Sequence, residues 1–378
     1  MTNRRRLCYV VASGMTAKAF LAGHIAAAAT NFEVSLVVNA ADVAALREAG
    51  LGARFLQAPI CRKISPWHDL RALWVLYRHF RQGCFDIVHS VSPKAGLLAM
   101  LAAWLARAPH RIHTFTGQVW VTRTGWRRWL LKKFDRLLAA LATHVLVDSP
   151  SQLAFLRAEG VLPEGKGEVI GKGSICGVDA QRFSPDSAAC RQVRREVGVG
   201  DAATLLLFLG RINRDKGVFD LASACCALGK RWPDVRLLMV GPDEEGLTKA
   251  LADLAGSERL IHVGYTDAPQ RYMAAADVLC LPSYREGFGM VVIEAAAAGL
   301  PAVASRIYGI TDAVADGQTG ILHAPGDVAD IESALERLIA DPELRGRLGA
   351  AARERALRDF SMERLSWELM AFYGRILG

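Results

Sequence analysis

Two segments of the chain concentrate residue types that can handle a phosphorylated ligand. The apolar run Leu205–Leu209 passes directly into Gly210-Arg211-Ile212-Asn213-Arg214-Asp215-Lys216-Gly217, after which helical periodicity begins. Arg211 and Lys216 thus stand where a strand ends and a helix starts. Fixed cations beside free backbone N–H groups suit a diphosphate. Taken alone, such a loop is equally a basic surface turn. The second segment runs from Leu281 to Glu294 and sets Glu286 and Glu294 eight residues apart around Gly287-Phe288-Gly289. Glycines let backbone amides approach a ligand closely, and two carboxylates facing one cleft suit hydroxyl-rich ligands such as a sugar or a ribose. Glu294 follows Val291-Val292-Ile293 and precedes Ala295–Ala298. A carboxylate in so apolar a stretch is costly without a partner, which favours a ligand over a solvated helix face.

These loops need a frame, and the hydrophobic pattern supplies one. Leu7–Ala12, Glu33–Asn39, Ala53–Gln57, Asp86–Ser90, Arg111–Phe115 and Thr143–Asp148 are short apolar runs that read as buried strands. Amphipathic segments such as Ala41–Ala49, Pro66–Arg81 and Ala95–Ala106 alternate with them. After a polar stretch around Phe183–Asp201 the rhythm restarts with Thr204–Leu209, Val235–Val240, Arg259–Val263, Val278–Leu281, Ala302–Ser305 and Gly320–His323. Alternating strands and helices predict parallel sheets covered on both faces. The expected fold is α/β, with two Rossmann-like, doubly wound domains facing a cleft. Residues 1–180 form the first domain, 181–358 the second, and 359–378 a final helix packing back toward the first. The ending Asp327–Arg358 is expected to be helical. Open parallel sheets bind ligands at their carboxyl edge.

With these residues in place, the chain resembles glycosyltransferase family 4, retaining sugar-nucleotide transferases of the GT-B architecture. Gly210-Arg211 with Lys216-Gly217, then Glu286-x7-Glu294, then Gly317-x-Thr319-Gly320 occur in the family's order. The resemblance implies a nucleotide-sugar donor, used as co-substrate with no further cofactor. It implies that Arg211 and Lys216 hold the donor diphosphate and that Glu286, with the amides of Phe288 and Gly289, binds the transferred sugar. The amides of Met290 and Val291 would meet phosphate, Glu294 the ribose, and Gly14 the donor phosphates from the loop after the first strand. No acidic cluster matches a metal role, so the two cations would stand in for a divalent ion. The segments Asp86–Leu98 and Gly173–Asp179 resemble bacterial capsule, exopolysaccharide and O-antigen transferases, which implies a polyprenyl diphosphate-linked sugar acceptor. Thr116 stands where many members carry histidine; His113, three residues earlier, reads as a strand histidine.

Charge is unevenly spread. The formal net charge of +8 divides into +12 for residues 1–180 and −4 for 181–378, so the first half is expected to face something anionic. Trp67, Arg71, Trp74, Arg78 and Arg81 fall on one side of a predicted helix. Trp126, Trp129, Lys132, Lys133 and Arg136 gather along a second. Tryptophan with basic residues suits lipid headgroups, and the expectation is a cytoplasmic enzyme held on the inner face of the cytoplasmic membrane. Lys94, opening a helix after Pro93, is the candidate for an acceptor diphosphate.

Composition narrows the remaining classes. The chain is 52% hydrophobic and 22% charged, which excludes a disordered chain. No uncharged run reaches the roughly 20 residues of a spanning helix. The apolar stretch after Arg4-Arg5-Arg6 is shorter than an export core and is interrupted at Ser13-Gly14. Eight cysteines without a paired spacing read as buried thiols of a reducing compartment. Nucleic-acid motifs are missing. A two-Rossmann sugar-nucleotide epimerase and a transferase with a soluble acceptor remain as alternatives.

Overall fold

The computed structural model describes residues 4–61 and 65–378. They divide into two compact units, Met1–Cys176 with Met362–Gly378, and Gly177–Ser361. The first is built on a parallel sheet of β1 (Arg5–Val10), β2 (Phe32–Val38), β3 (Arg54–Gln57), β4 (Ile87–Val91), β5 (His110–Phe115), β6 (His144–Val147) and β7 (Glu168–Val169). Their order is β3-β2-β1-β4-β5-β6-β7. The central strands are buried on both faces, which is why they read as continuous apolar runs rather than alternating ones. Cys8 and Val10 point to one layer with Ala72, Leu76, Ala99 and Leu138 from the helices Pro66–Gly83, Pro93–Leu105 and Gly125–Leu141. Leu7 and Tyr9 point to the other with Ile25, Leu369, Phe372 and Tyr373.

The helix Met362–Leu377 therefore belongs to the first unit. Its Tyr373 hydroxyl donates to the Tyr9 hydroxyl at 3.0 Å and is bonded to His89 Nδ1, while His89 Nε2 bonds Thr114 Oγ1 at 2.7 Å. His24 bonds Ser366 Oγ at 3.0 Å and the Ile175 carbonyl at 2.8 Å. All of these polar groups are satisfied inside an apolar layer, so the helix is held in one register.

The second unit carries β8 (Thr204–Leu209), β9 (Val235–Val240), β10 (Leu260–Val263), β11 (Val278–Leu281), β12 (Ala302–Ser305) and β13 (Gly320–His323), in the order β10-β9-β8-β11-β12-β13. The direction of winding reverses between β8 and β11. That reversal splays the two following loops apart and opens a crevice at the carboxyl ends of these strands. The expected helical ending at 327–358 is two helices, Val328–Ala340 and Pro342–Asp359. Asp341 breaks them by accepting from the Leu344 amide at 2.8 Å, with proline at the first position of the new helix. Cys8, Cys176, Cys225 and Cys280 are buried thiols, but Cys84 is exposed on the left-handed turn that ends the Pro66–Gly83 helix, which corrects the expectation of uniformly buried cysteines.

Candidate functional site

The loops leaving β8 and β11 meet at the winding reversal of the second unit. Gly217 has φ +66° and an added Cβ would stand 2.0 Å from the Pro282 carbonyl oxygen, so only glycine lets the two loops touch. Tyr284 N donates to the Asp215 carbonyl at 2.9 Å, and Arg285 reaches the Asp215 carboxylate at 3.4 Å. This contact brings Lys216 and Glu286 into a direct ion pair, with both side chains about 15% exposed. Ser283 Oγ donates to the same Glu286 oxygen at 3.0 Å. A cation and a carboxylate from loops 70 residues apart thus share one spot. A ligand carrying an anion beside a hydroxyl can engage both.

Arg211, on the same β8 loop, is half exposed. Its Nη1 donates to both Glu244 oxygens at 3.2 and 3.1 Å. Asn213 Nδ2 donates to Glu244 at 2.9 Å. Glu244, Asn213 and Ser283 were not singled out from sequence. The signal for Glu244 was available: it follows a Gly241-Pro242 turn at the carboxyl end of β9, the same kind of position that flagged Arg211.

Downstream, Gly289 caps the helix Met290–Ala297 with φ +83°. The amides of Phe288 and Gly289 have no acceptor among the described residues, whereas the Phe288 ring is buried and packs edge-on against Phe360 at 5.2 Å. Phe288 can therefore offer a ligand only its backbone. Met290 and Val291 open the helix. Glu294 lies one turn further in, and its carboxylate has no hydrogen-bond partner among the described residues. Burial pushes it up to about 7, with Arg182 acting in the opposite direction. The Tyr284 hydroxyl, bonded to Asp220 at 2.6 Å, is pushed up to about 12 first by that carboxylate and then by burial. The Thr319 hydroxyl of the Gly317-x-Thr319-Gly320 motif closes its own turn by accepting from Ala315 N at 2.9 Å.

The residues expected to act from the first unit are more dispersed. The Gly14 amide donates to Asp42 Oδ2 at 2.8 Å, so a carboxylate already holds the N–H that was expected to meet phosphate. Lys94 pairs with Asp69 at 2.7 Å. The Thr116 carbonyl accepts from Gln152 at 2.7 Å and Gln118 at 2.9 Å, which fixes the loop after β5. His113 is fully buried beside Gly96, bonded to Ser90 Oγ at 2.9 Å, and burial lowers it to about 3. It is a core histidine.

The two tryptophan-bearing helices divide differently than their periodicity suggests. Trp67, Trp74, Trp126 and Trp129 are 82, 57, 69 and 61% exposed. Arg78 lies over Trp74, Arg127 over Trp126 and Lys133 over Trp129 at 4.8, 5.6 and 5.5 Å. Lys132 instead pairs with Glu159 at 2.6 Å, and Arg136 donates to the Gly160 carbonyl at 2.6 Å. Those two cations tie the Gly125–Leu141 helix to the end of the Pro150–Ala158 helix, which corrects their assignment to an open basic face. Among the described residues no helix is long and apolar enough to cross a membrane. No group of three or more His, Cys, Asp or Glu among them could hold a metal ion.

Residues 191–355 match the family described as Glycosyl transferases group 1, and residues 21–173 match the Glycosyl transferase 4-like domain. The chain is 28% identical over 322 residues to the capsular polysaccharide biosynthesis glycosyltransferase CapM of Staphylococcus aureus, covering 84% of each chain. It is 31% identical over 366 residues to a D-inositol 3-phosphate glycosyltransferase of Kribbella flavida, covering 88% of this chain and 79% of that one. Among solved structures, Anabaena Alr3699/HepE in complex with UDP and glucose superposes with a TM-score of 0.82 at 18% identity, over 98% of this chain and all of that one.

Proposed function

Because the chain belongs to the group 1 glycosyltransferases and has their GT-B fold of two parallel-sheet α/β domains, we propose that it moves a hexosyl or N-acetylhexosaminyl group from a UDP-sugar, with retention, to a polyprenyl diphosphate-linked sugar. The observation that carries this reading is the Lys216–Glu286 pair beside Arg211 at the winding reversal. In the reaction the bond between the anomeric carbon and the diphosphate oxygen breaks while the acceptor oxygen bonds to the same face of that carbon. The departing phosphate oxygen takes the acceptor's proton. Negative charge grows on the leaving diphosphate, and Lys216 and Arg211 are already fixed to receive it, which is how preorganised charge lowers a barrier. Glu286 accepts from a hydroxyl of the transferred sugar, and Glu294 from the ribose. The amides of Phe288, Gly289, Met290 and Val291 meet phosphate at the helix start. No divalent ion is needed in this scheme.

The first domain takes the lipid-linked acceptor at a membrane surface, with Trp67, Trp74, Trp126, Trp129, Arg78 and Lys133 in the headgroups of an anionic cytoplasmic leaflet. Lys94, at the start of its helix and paired with Asp69, meets the acceptor diphosphate, and Thr116 serves the acceptor side. UDP is favoured as the nucleotide because the superposed HepE structure holds UDP with glucose, and a role in surface-polysaccharide assembly by likeness to the capsular enzyme.

The test is to incubate the protein with a panel of nucleotide sugars, with and without short-chain polyprenyl diphosphate sugars, in EDTA. UDP release that depends on the lipid acceptor, with a product of the donor's anomeric configuration, is expected. Equal use of soluble sugars, inversion, or strict dependence on a divalent ion would overturn the corresponding part.

A further inference from the structure

The segments after β8 and β9 remain zipped together beyond the strands themselves. Gly210 N donates to the Val240 carbonyl at 2.9 Å, Ile212 N to Pro242 at 2.9 Å, and Glu244 N to Ile212 at 3.2 Å. A Cβ on Gly241, at φ +143°, would stand 1.9 Å from the Gly210 carbonyl oxygen. The approach of the two loops is therefore written into the backbone. Asp243 fixes the far side of the turn, accepting from Leu247 N, Thr248 N and Thr248 Oγ1 at 2.9, 2.8 and 2.7 Å. Glu244 has little freedom to be elsewhere.

Its carboxylate grips Arg211 by one nitrogen only. Arg211 Nη1 makes both contacts to Glu244, while Nε and Nη2 have no hydrogen bond among the described residues. Asn213 Nδ2 steadies the same carboxylate, although its own Oδ1 is then buried without a partner among the described residues. An asparagine that leaves one polar atom unmatched to aim the other at a carboxylate marks that carboxylate as something to be held. The remaining N–H groups of a planar guanidinium point in fixed directions relative to the gripped one. Holding Nη1 therefore sets where Nε and Nη2 are presented.

We propose that Glu244 is a positioning residue that orients Arg211 toward the diphosphate of the donor. This rests on the role given to Arg211 under Proposed function. A carboxylate behind the guanidinium keeps its orientation during turnover, and the anion binds the face turned away.

The experiment measures kcat and KM for the UDP-sugar that the panel selects, and UDP affinity by calorimetry, for Glu244→Gln, Glu244→Ala, Arg211→Ala and the double alanine variant. All four are checked for an unchanged melting temperature. Glu244→Gln is expected to lower kcat at least tenfold, and adding Glu244→Ala to Arg211→Ala should change kcat less than twofold. If Arg211→Ala is impaired but Glu244→Gln is not, or if the two alanine effects multiply, the positioning role is overturned and the donor-site reading stands. If Glu244→Ala tightens UDP binding, the carboxylate is a competing counter-ion and the proposal fails. Near-native turnover by Arg211→Ala overturns both.

Discussion

The exposed faces of the tryptophan-bearing helices in the first unit and the site loops of the second arrange positive charge in opposite ways. In the second, Arg211, Lys216, Arg214 and Arg285 are each set against a carboxylate, Glu244, Glu286, Glu245 and Asp215, on loops joined by backbone contacts. In the first, Arg78, Arg127 and Lys133 ride on exposed tryptophans. Charge meant to meet a transition state must be fixed before the substrate arrives, because reorganising it during the reaction would raise the barrier. On the proposed docking reading, charge that meets a diffuse lipid surface gains nothing from such precision. It needs exposure and number.

The sharpest way to break this contrast is to remove a fixed cation. Lys216→Ala should lower turnover by roughly 2–4 kcal/mol of barrier, measured as UDP release at saturating donor, with the fold intact by circular dichroism. Near-native turnover would mean that the Lys216–Glu286 pair is only a structural clasp.

Acid distinguishes the units next. His24, His89 and His113 are buried in the first unit and all are lowered by burial, His89 and His113 to about 3. The unfolded chain protonates them near pH 6.5 and the folded one only at lower pH, so their contribution is complete above that pH and lost as it falls. Burial raises Asp148 to about 8 and Asp135 to about 6, which has the opposite sign. Between about pH 6 and 4 the two aspartates offset His89 and His113, and the lowered His24 tips the balance so that stability falls with acidity. Below about pH 4 the aspartates become protonated in either state, and His89 and His113 are left to act together. Hydrogen exchange at pH 7 and pH 4 should show the first unit opening more readily at the lower pH; unchanged protection would contradict this.

The smallest effects sharpen the surface assignment. Neutralising Arg127 and Lys133 should weaken binding to anionic vesicles by about 1 kcal/mol per charge, and less so as salt shortens the Debye length below about 8 Å. Melting should not change. Lys132→Ala should do the reverse, with vesicle binding intact and about 0.5–1 kcal/mol of stability lost with its Glu159 pair. Sedimentation with vesicles and thermal melting read the two outcomes independently.

The fold was legible where strands are buried on both faces, since Leu205–Leu209 or Val235–Val240 can be little else. The two-residue β7 leaves no pattern to read. At the site, glycine spacing exposed Arg211, Lys216 and Glu286 because the strand-to-helix junction is local. Glu244 was hidden because its meeting with Arg211 depends on β8 pairing with β9 and on Gly241 tolerating the contact. Periodicity placed Lys132 beside Trp129, yet it cannot reveal that Glu159, 27 residues on, takes that lysine out of the surface.

The assignment of Met362–Leu377 to the first unit makes the second unit an insertion within the first. Its two ends lie together, since Val178 pairs with Ser361 and Gly177 has no room for a Cβ beside the Phe360 carbonyl. On a ribosome, the inserted unit is complete before the unit that encloses it. Tyr9 must wait for Tyr373, the residue that closes its layer, until 364 further residues have been made. A fragment ending near Cys176 would expose that apolar layer, whereas residues 177–361 carry their own core and close on themselves.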